Sequence, residues 1–139
     1  MAVPAELAPG RERDLVVVVE DEPAYMRALV RSLARDAPEI DVVEATTGMD
    51  GLLEIGRVHP DLVVLDYRLP DFDAVQVVER LLDPSRRLTA EVMVVTGGMP
   101  MAADAELRRV GVRNIVNKAE GMPAVIEAIR RALRERQAA

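Results

Sequence analysis

The sequence predicts one α/β domain, a five-stranded parallel sheet in a doubly wound arrangement with helices on both faces. Three observations carry this. Short apolar runs rich in β-branched residues recur along the chain, they alternate with stretches of helical periodicity, and four of them end in polar residues. Such runs read as strands buried on both faces, which belong to parallel sheets. Strict alternation of strand and helix implies right-handed crossovers. The 139 residues suit one core.

Residues 1–13 are rich in Ala, Pro, Gly and charge and are expected to form a mobile arm. The domain is expected over 14–136, with 137–139 as a tail. Leu15–Val19 is the first strand, followed by Glu20-Asp21-Glu22-Pro23. Proline suits a first helical turn, and Met26, Leu29, Val30 and Leu33 give an amphipathic helix ending near Pro38. Asp41–Ala45 is the second strand. Thr47 to Asp50 resembles a capping box, and Met49, Leu52, Leu53 and Gly56 mark the second helical face.

The third strand, Asp61–Asp66, is opened by Pro60 and closed by a carboxylate, and a loop through Pro70 and Asp71 follows. Val75, Val78, Leu81 and Leu82 predict a third helix stopped by Asp83-Pro84. Glu91–Thr96 is the fourth strand, ending in a hydroxyl before Gly97-Gly98. A helix over about 100–110 carries Ala103, Leu107 and Val110 on one side, with Gly111 as its C-cap. Asn114–Lys118 is the fifth strand. Met122, Val125, Ile126, Ile129 and Leu133 mark the last helix.

Composition narrows the chemistry. The formal net charge of −6 disfavours direct nucleic-acid binding, which needs a basic face. No cysteine and a single histidine, His59, exclude disulfides, thiolate metal sites and His-rich zinc sites. No apolar run approaches the ~20 residues of a membrane span, and the N-terminus lacks the pattern of a signal peptide. A cytoplasmic location is expected.

In a parallel sheet, ligands bind beyond the carboxyl ends of the strands. Glu20 and Asp21, Asp66, Thr96 and Lys118 follow or close four of these strands and meet at one rim. Three clustered carboxylates repel and raise one another's pKa values unless a cation sits among them. Oxygen ligands without His or Cys suit Mg²⁺. A carboxylate beside Mg²⁺, a hydroxyl and an ammonium can accept a phosphoryl group, with catalysis by positioning and electrostatics.

At these residues the chain resembles the receiver domain of two-component response regulators. The matching fragments are Val-Val-Glu-Asp-Glu-Pro, Pro-Asp-Leu-Val-Val-Leu-Asp-Tyr-Arg-Leu-Pro, Val-Met-Val-Val-Thr-Gly and Asn-Lys, in order across 14–136. The resemblance implies a flavodoxin-like fold with strand order 2-1-3-4-5. It implies that Asp66 accepts phosphate from the phosphohistidine of a sensor histidine kinase or a phosphotransfer protein. Asp21, Asp66 and the backbone carbonyl of Arg68 would bind Mg²⁺, with Glu20 acting through water. Thr96 would reach the phosphate and Lys118 would pair with it. Phosphorylation would shift a pre-existing equilibrium in the fourth helix, fifth strand and last helix, the face that meets a downstream protein target. The chain would act as a signalling switch rather than an enzyme, without membrane or direct nucleic-acid contact, as a monomer or weak homodimer.

Three positions depart from the family pattern. Ala119 stands where proline usually follows the lysine, Ile115 where the fifth strand carries a switch aromatic, and Ala74 where glycine is common. Ala119 and Ile115 favour an alternative, a pseudo-receiver that docks a partner whatever its phosphorylation state. A flavin or dinucleotide enzyme is disfavoured because Glu-Asp-Glu-Pro replaces a glycine-rich phosphate loop. A haloacid-dehalogenase-like phosphatase is disfavoured by Arg68, which occupies the place of a second aspartate.

Overall fold

The computed structural model describes residues 12–138, so the expected arm lies, through residue 11, outside the described residues. The strands are β1 (Asp14–Val19), β2 (Ile40–Ala45), β3 (Leu62–Asp66), β4 (Val92–Thr96) and β5 (Asn114–Asn117). They alternate with α1 (Pro23–Asp36), α2 (Gly48–Val58), α3 (Ala74–Glu79), α4 (Met101–Arg109) and α5 (Met122–Ala138). The sheet is parallel throughout, in the order β2-β1-β3-β4-β5. This is the flavodoxin-like order that the resemblance implies.

Period-2 alternation divides the interior in two. Leu15, Val17 and Val19 face α2, α3 and α4 together with Val63, Leu65, Val92 and Val94. Val16 and Val18 face α1 and α5 together with Leu62, Val64, Met93 and Val95. Each strand of the sheet centre is thus apolar on both faces, which is why β1, β3 and β4 read as unbroken apolar runs. Register then sets the rim. Val19 pairs with Leu65, Asp66 with Val95, and Thr96 with Asn117. Glu20, Asp66, Thr96 and Lys118 therefore sit within a residue or so of one level.

Strands β2, β3 and β4 begin within one residue of expectation, and larger differences lie elsewhere. In α2, Met49 and Leu53 are 49% and 63% exposed, and the buried face is Gly48, Gly51, Ile55 and Val58. A Cβ on Gly51 would lie 2.8 Å from Val19 Cγ2, so the helix rests its glycine side directly on β1. The expected Thr47 cap is present, its hydroxyl accepting from Asp50 N–H at 3.0 Å. In α3 the helix is short, with Ala74, Val77 and Val78 buried. Pro84 disfavours helical backbone at Asp83, and the Asp83 carboxylate instead accepts from the N–H groups of Ser85 and Arg87. Strand β5 stops one residue early, and Lys118–Glu120 forms a turn of 3-10 helix. Helix α5 runs to Ala138. Gly111, with φ of 115°, follows α4 as expected.

Candidate acceptor and metal site

Three backbone segments deliver the carboxylates. Glu20 and Asp21 follow β1 directly, and Asp66 ends β3. One oxygen from each of Glu20, Asp21 and Asp66 lies within 4.8 Å of the others. Asp21 is exposed, whereas Glu20 is 3% and Asp66 9% exposed. They line an open cleft of ≈ 380 Å³ together with Glu22, Arg68, Thr96, Gly97 and Gly98. Every residue predicted for the site other than Lys118 lines this cleft, and Lys118 joins it through Glu20 and Asp66.

Lys118 Nζ donates to Glu20 Oε1 at 2.7 Å and stands 3.5 Å from Asp66 Oδ1. The other Glu20 oxygen accepts from Glu22 N–H at 3.0 Å. Both Glu20 oxygens are thus engaged by the chain itself, while Asp21 reaches the rim exposed. Thr96 Oγ1 accepts from Gly98 N–H at 2.9 Å. A hydroxyl accepting there still has its proton to donate, and this one faces the cleft.

The electrostatics follow from burial. Burial pushes the Asp66 carboxyl up, the Glu20 charge pushes it further, and Lys118 pulls it back only in part, leaving it at about 7. Burial opposes the charge on Lys118, but the Glu20 hydrogen bond and the Asp66 and Glu20 charges outweigh it, so its pKa is raised. A carboxylate cluster with this imbalance, made only of hard oxygen donors, fits a divalent cation such as Mg²⁺.

The loop after β3 is held at both ends. The backbones of Arg68 and Asp73 pair in an isolated antiparallel β-bridge, and Ala74 N–H donates to Tyr67 O at 2.8 Å. In between, the Asp71 carboxylate accepts from Gly48 N–H at 2.7 Å and Met49 N–H at 2.9 Å, closing the N-terminus of α2. Phe72 packs where a Cβ on Gly48 would fall 2.6 Å from its ring. The turn after Lys118 has its own clamp. Asn117 Oδ1 accepts from Ala119 N–H at 2.8 Å, and Glu120 accepts from Asn117 N–H at 3.1 Å. Ala119 supplies a backbone donor that proline lacks, and the turn uses it.

Sequence reasoning missed three contributors. Asp71 caps a helix 22 residues earlier in the chain, and no local pattern signals that. Asn117 is legible as a strand residue and as part of the Asn-Lys fragment, but not as the clamp of the turn after Lys118. Tyr25 was not singled out, although its ring centroid lies 4.2 Å from Lys118 Nζ. A signal did exist for the lysine, because Lys118 is the only lysine in the chain.

Comparison with known proteins gives the family. The family model for the response regulator receiver domain matches residues 16–130. Chemotaxis protein CheY of Listeria monocytogenes is 25% identical, over 85% of this chain and 98% of its own length. Transcriptional regulatory protein KdpE of Mycobacterium tuberculosis is 32% identical over 90% of this chain, which spans 53% of KdpE. A protein-glutamate methylesterase/protein-glutamine glutaminase of Nitrobacter hamburgensis is 34% identical over 63% of this chain. The chain spans only 23% of that methylesterase and 26% of one from Geobacter metallireducens. Among solved structures, the signal receiver domain of the putative response regulator NarL from M. tuberculosis superposes with a TM-score of 0.77 at 27% identity, covering 88% of this chain and 98% of its own. A CheY-like receiver domain protein from Methanospirillum hungatei gives a TM-score of 0.79 at 20% identity, over 91% and 98% of the two chains, a likeness of fold. With its sheet order, its rim of carboxylates and a family match over most of its length, the chain belongs to the response regulator receiver domain family.

Proposed function

We propose that Asp66 is the acceptor of a phosphoryl group, delivered as phosphohistidine by a sensor histidine kinase or phosphotransfer protein, and that the domain is a switch set by that group. The observation that carries this is the meeting of the Glu20, Asp21 and Asp66 carboxylates with the Lys118 ammonium and the Thr96 hydroxyl at one rim. An Asp66 carboxylate oxygen attacks phosphorus. The new O–P bond forms as the P–N bond breaks, and the electron pair returns to the imidazole nitrogen. Asp21, Asp66 and the Arg68 carbonyl would hold Mg²⁺, with Glu20 acting through water. Bound there, the ion supplies positive charge for the phosphoryl oxygens.

The chain's own residues do the rest. Lys118, already paired with Glu20, offers its ammonium to a phosphoryl oxygen. Thr96 donates its hydroxyl proton to another. The added charge biases α4, β5 and α5 toward the conformation that a downstream protein recognises. This reading places the protein in the cytoplasm, as a monomer or weak homodimer, and makes it a switch rather than an enzyme. Ile115 favours a second reading, a docking module indifferent to phosphorylation, because it offers no aromatic to rotate inward.

Amide NMR with Mg²⁺ and beryllofluoride, run beside Asp66→Asn, separates the two. Shifts at Asp66, Thr96 and Lys118 that spread into α4 and α5 and vanish in the variant support the switch. Shifts confined to the rim support uncoupled phosphorylation. No shift at saturating Mg²⁺ and beryllofluoride overturns the acceptor reading and leaves the docking module.

A further inference from the structure

Lysine is a poor residue to leave unsupported at a reaction centre. Its ammonium rides on a flexible four-carbon stem and is strongly hydrated. Lys118 begins a turn at the end of β5, and its side chain is 20% exposed. Glu20 holds the ammonium on one side at 2.7 Å, while Asp66 is too far at 3.5 Å for a short hydrogen bond. A second contact comes from α1. The Lys118 ammonium lies over the face of Tyr25, 4.2 Å from the ring centroid. That is well inside the range of a cation–π interaction.

We propose that Tyr25 is a positioning residue for Lys118: the face of its ring holds the ammonium at the acceptor in the resting protein, before any phosphoryl group is there to attract it. The inference rests on Asp66 being the acceptor. Tyr25 is well placed for the task. It lies in the first turn of α1, five residues after Glu20, so ring and carboxylate are positioned by one stretch of chain. Its ring is half-buried against the core beneath α1 and α5, so its orientation is set by packing.

The ring, not the hydroxyl, makes the contact. The Tyr25 hydroxyl is buried and has no hydrogen-bond partner among the described residues. A phenylalanine would therefore keep the contact, and an aliphatic side chain would lose it. Lysine also suits the niche better than the arginine used everywhere else in the chain. A compact point charge fits between a ring face and two carboxylates, whereas a planar fork demands room for bidentate pairing.

Because Lys118 is the only lysine, its side chain gives one assignable signal, and ¹³Cε relaxation reads its mobility without any donor present. Tyr25→Leu is expected to free Lys118 to the mobility of a solvated lysine, and Tyr25→Phe to keep it as ordered as wild type. With acetyl phosphate and saturating Mg²⁺, Tyr25→Leu is expected to take up phosphoryl groups about fivefold more slowly, mid-range for a half-buried cation–π contact. Tyr25→Phe stays within about twofold of wild type on the same scale. Mg²⁺ affinity is unchanged in both, which a general loss of structure would not allow. Tyr25→Met replaces Tyr25→Leu if the latter does not fold. The proposal is overturned if Lys118 stays ordered in the aliphatic variants, or if Tyr25→Phe behaves as they do. Should wild type itself fail to take up phosphate, the acceptor reading falls and the proposal with it. Lys118 relaxation then still shows whether the ring tethers the ammonium.

Discussion

Lys118 stands closer to Glu20 than to Asp66: its Nζ lies 2.7 Å from the first carboxylate and 3.5 Å from the second. Asp66 is therefore the under-compensated member of the cluster, and its carboxyl is pushed up to about 7 by burial and by Glu20. Unfolding returns it to its ordinary 3.8. Between these values the native state keeps a proton that the unfolded state has released. The contribution to stability is full below 3.8 and is lost as pH rises through about 7. In the presence of a chelator, wild type should lose stability relative to Asp66→Asn as pH rises from about 4 to about 7, read by urea denaturation. A flat difference across that window would show that the carboxyl titrates normally.

The glycine face of α2 makes a paired prediction. Gly51→Ala forces a Cβ to within 2.8 Å of Val19 Cγ2 and should destabilise the domain by about 1–3 kcal/mol. Gly56→Ala, five residues on, meets nothing within 4 Å and should stabilise it by about 0.5–1 kcal/mol. Denaturation midpoints of the two variants are expected to move in opposite directions.

The same helix shows where the sequence is legible and where it is not. The strands were readable because buried parallel strands need continuous apolar side chains, and the rim was readable because each strand hands over to a polar residue. The buried side of α2 was not. Close packing selects glycine there, and Gly48 and Gly51 carry no apolar signal, whereas exposed Met49 and Leu53 do. Helix α3 was read too long because Leu81 and Leu82 continue a helical pattern that the turn at Asp83 breaks. Asp71 and Tyr25 act across the fold, on Gly48 and Lys118, and periodicity cannot reveal such partners.

Asp71 ties the loop carrying Arg68 to the start of α2 through Gly48 and Met49. Asp71→Ala removes the acceptor of both amides and should cost about 1 kcal/mol, the usual value of a helix cap. Hydrogen exchange should quicken at Gly48 and Met49 while Asp50, capped by Thr47, stays protected. Equal exchange in variant and wild type would mean that the cap does not hold the loop in solution.

Ala119→Pro would restore the residue usual in the family and delete the N–H that Asn117 accepts at 2.8 Å. The expected result is a loss of about 1 kcal/mol, with faster exchange at Gly121, whose N–H bonds to Lys118 O. A gain in stability would show that the turn tolerates the family's residue.

Everything proposed for the rim depends on Asp66 taking a phosphoryl group with the help of the carboxylate cluster. Intact-mass spectrometry after incubation with acetyl phosphate tests it most directly, with and without Mg²⁺, for wild type and Asp66→Asn. Wild type with Mg²⁺ is expected to gain the mass of one phosphoryl group, little without Mg²⁺, and the variant none. A gain of the same size in Asp66→Asn, or none in wild type at saturating Mg²⁺ and donor, would contradict it.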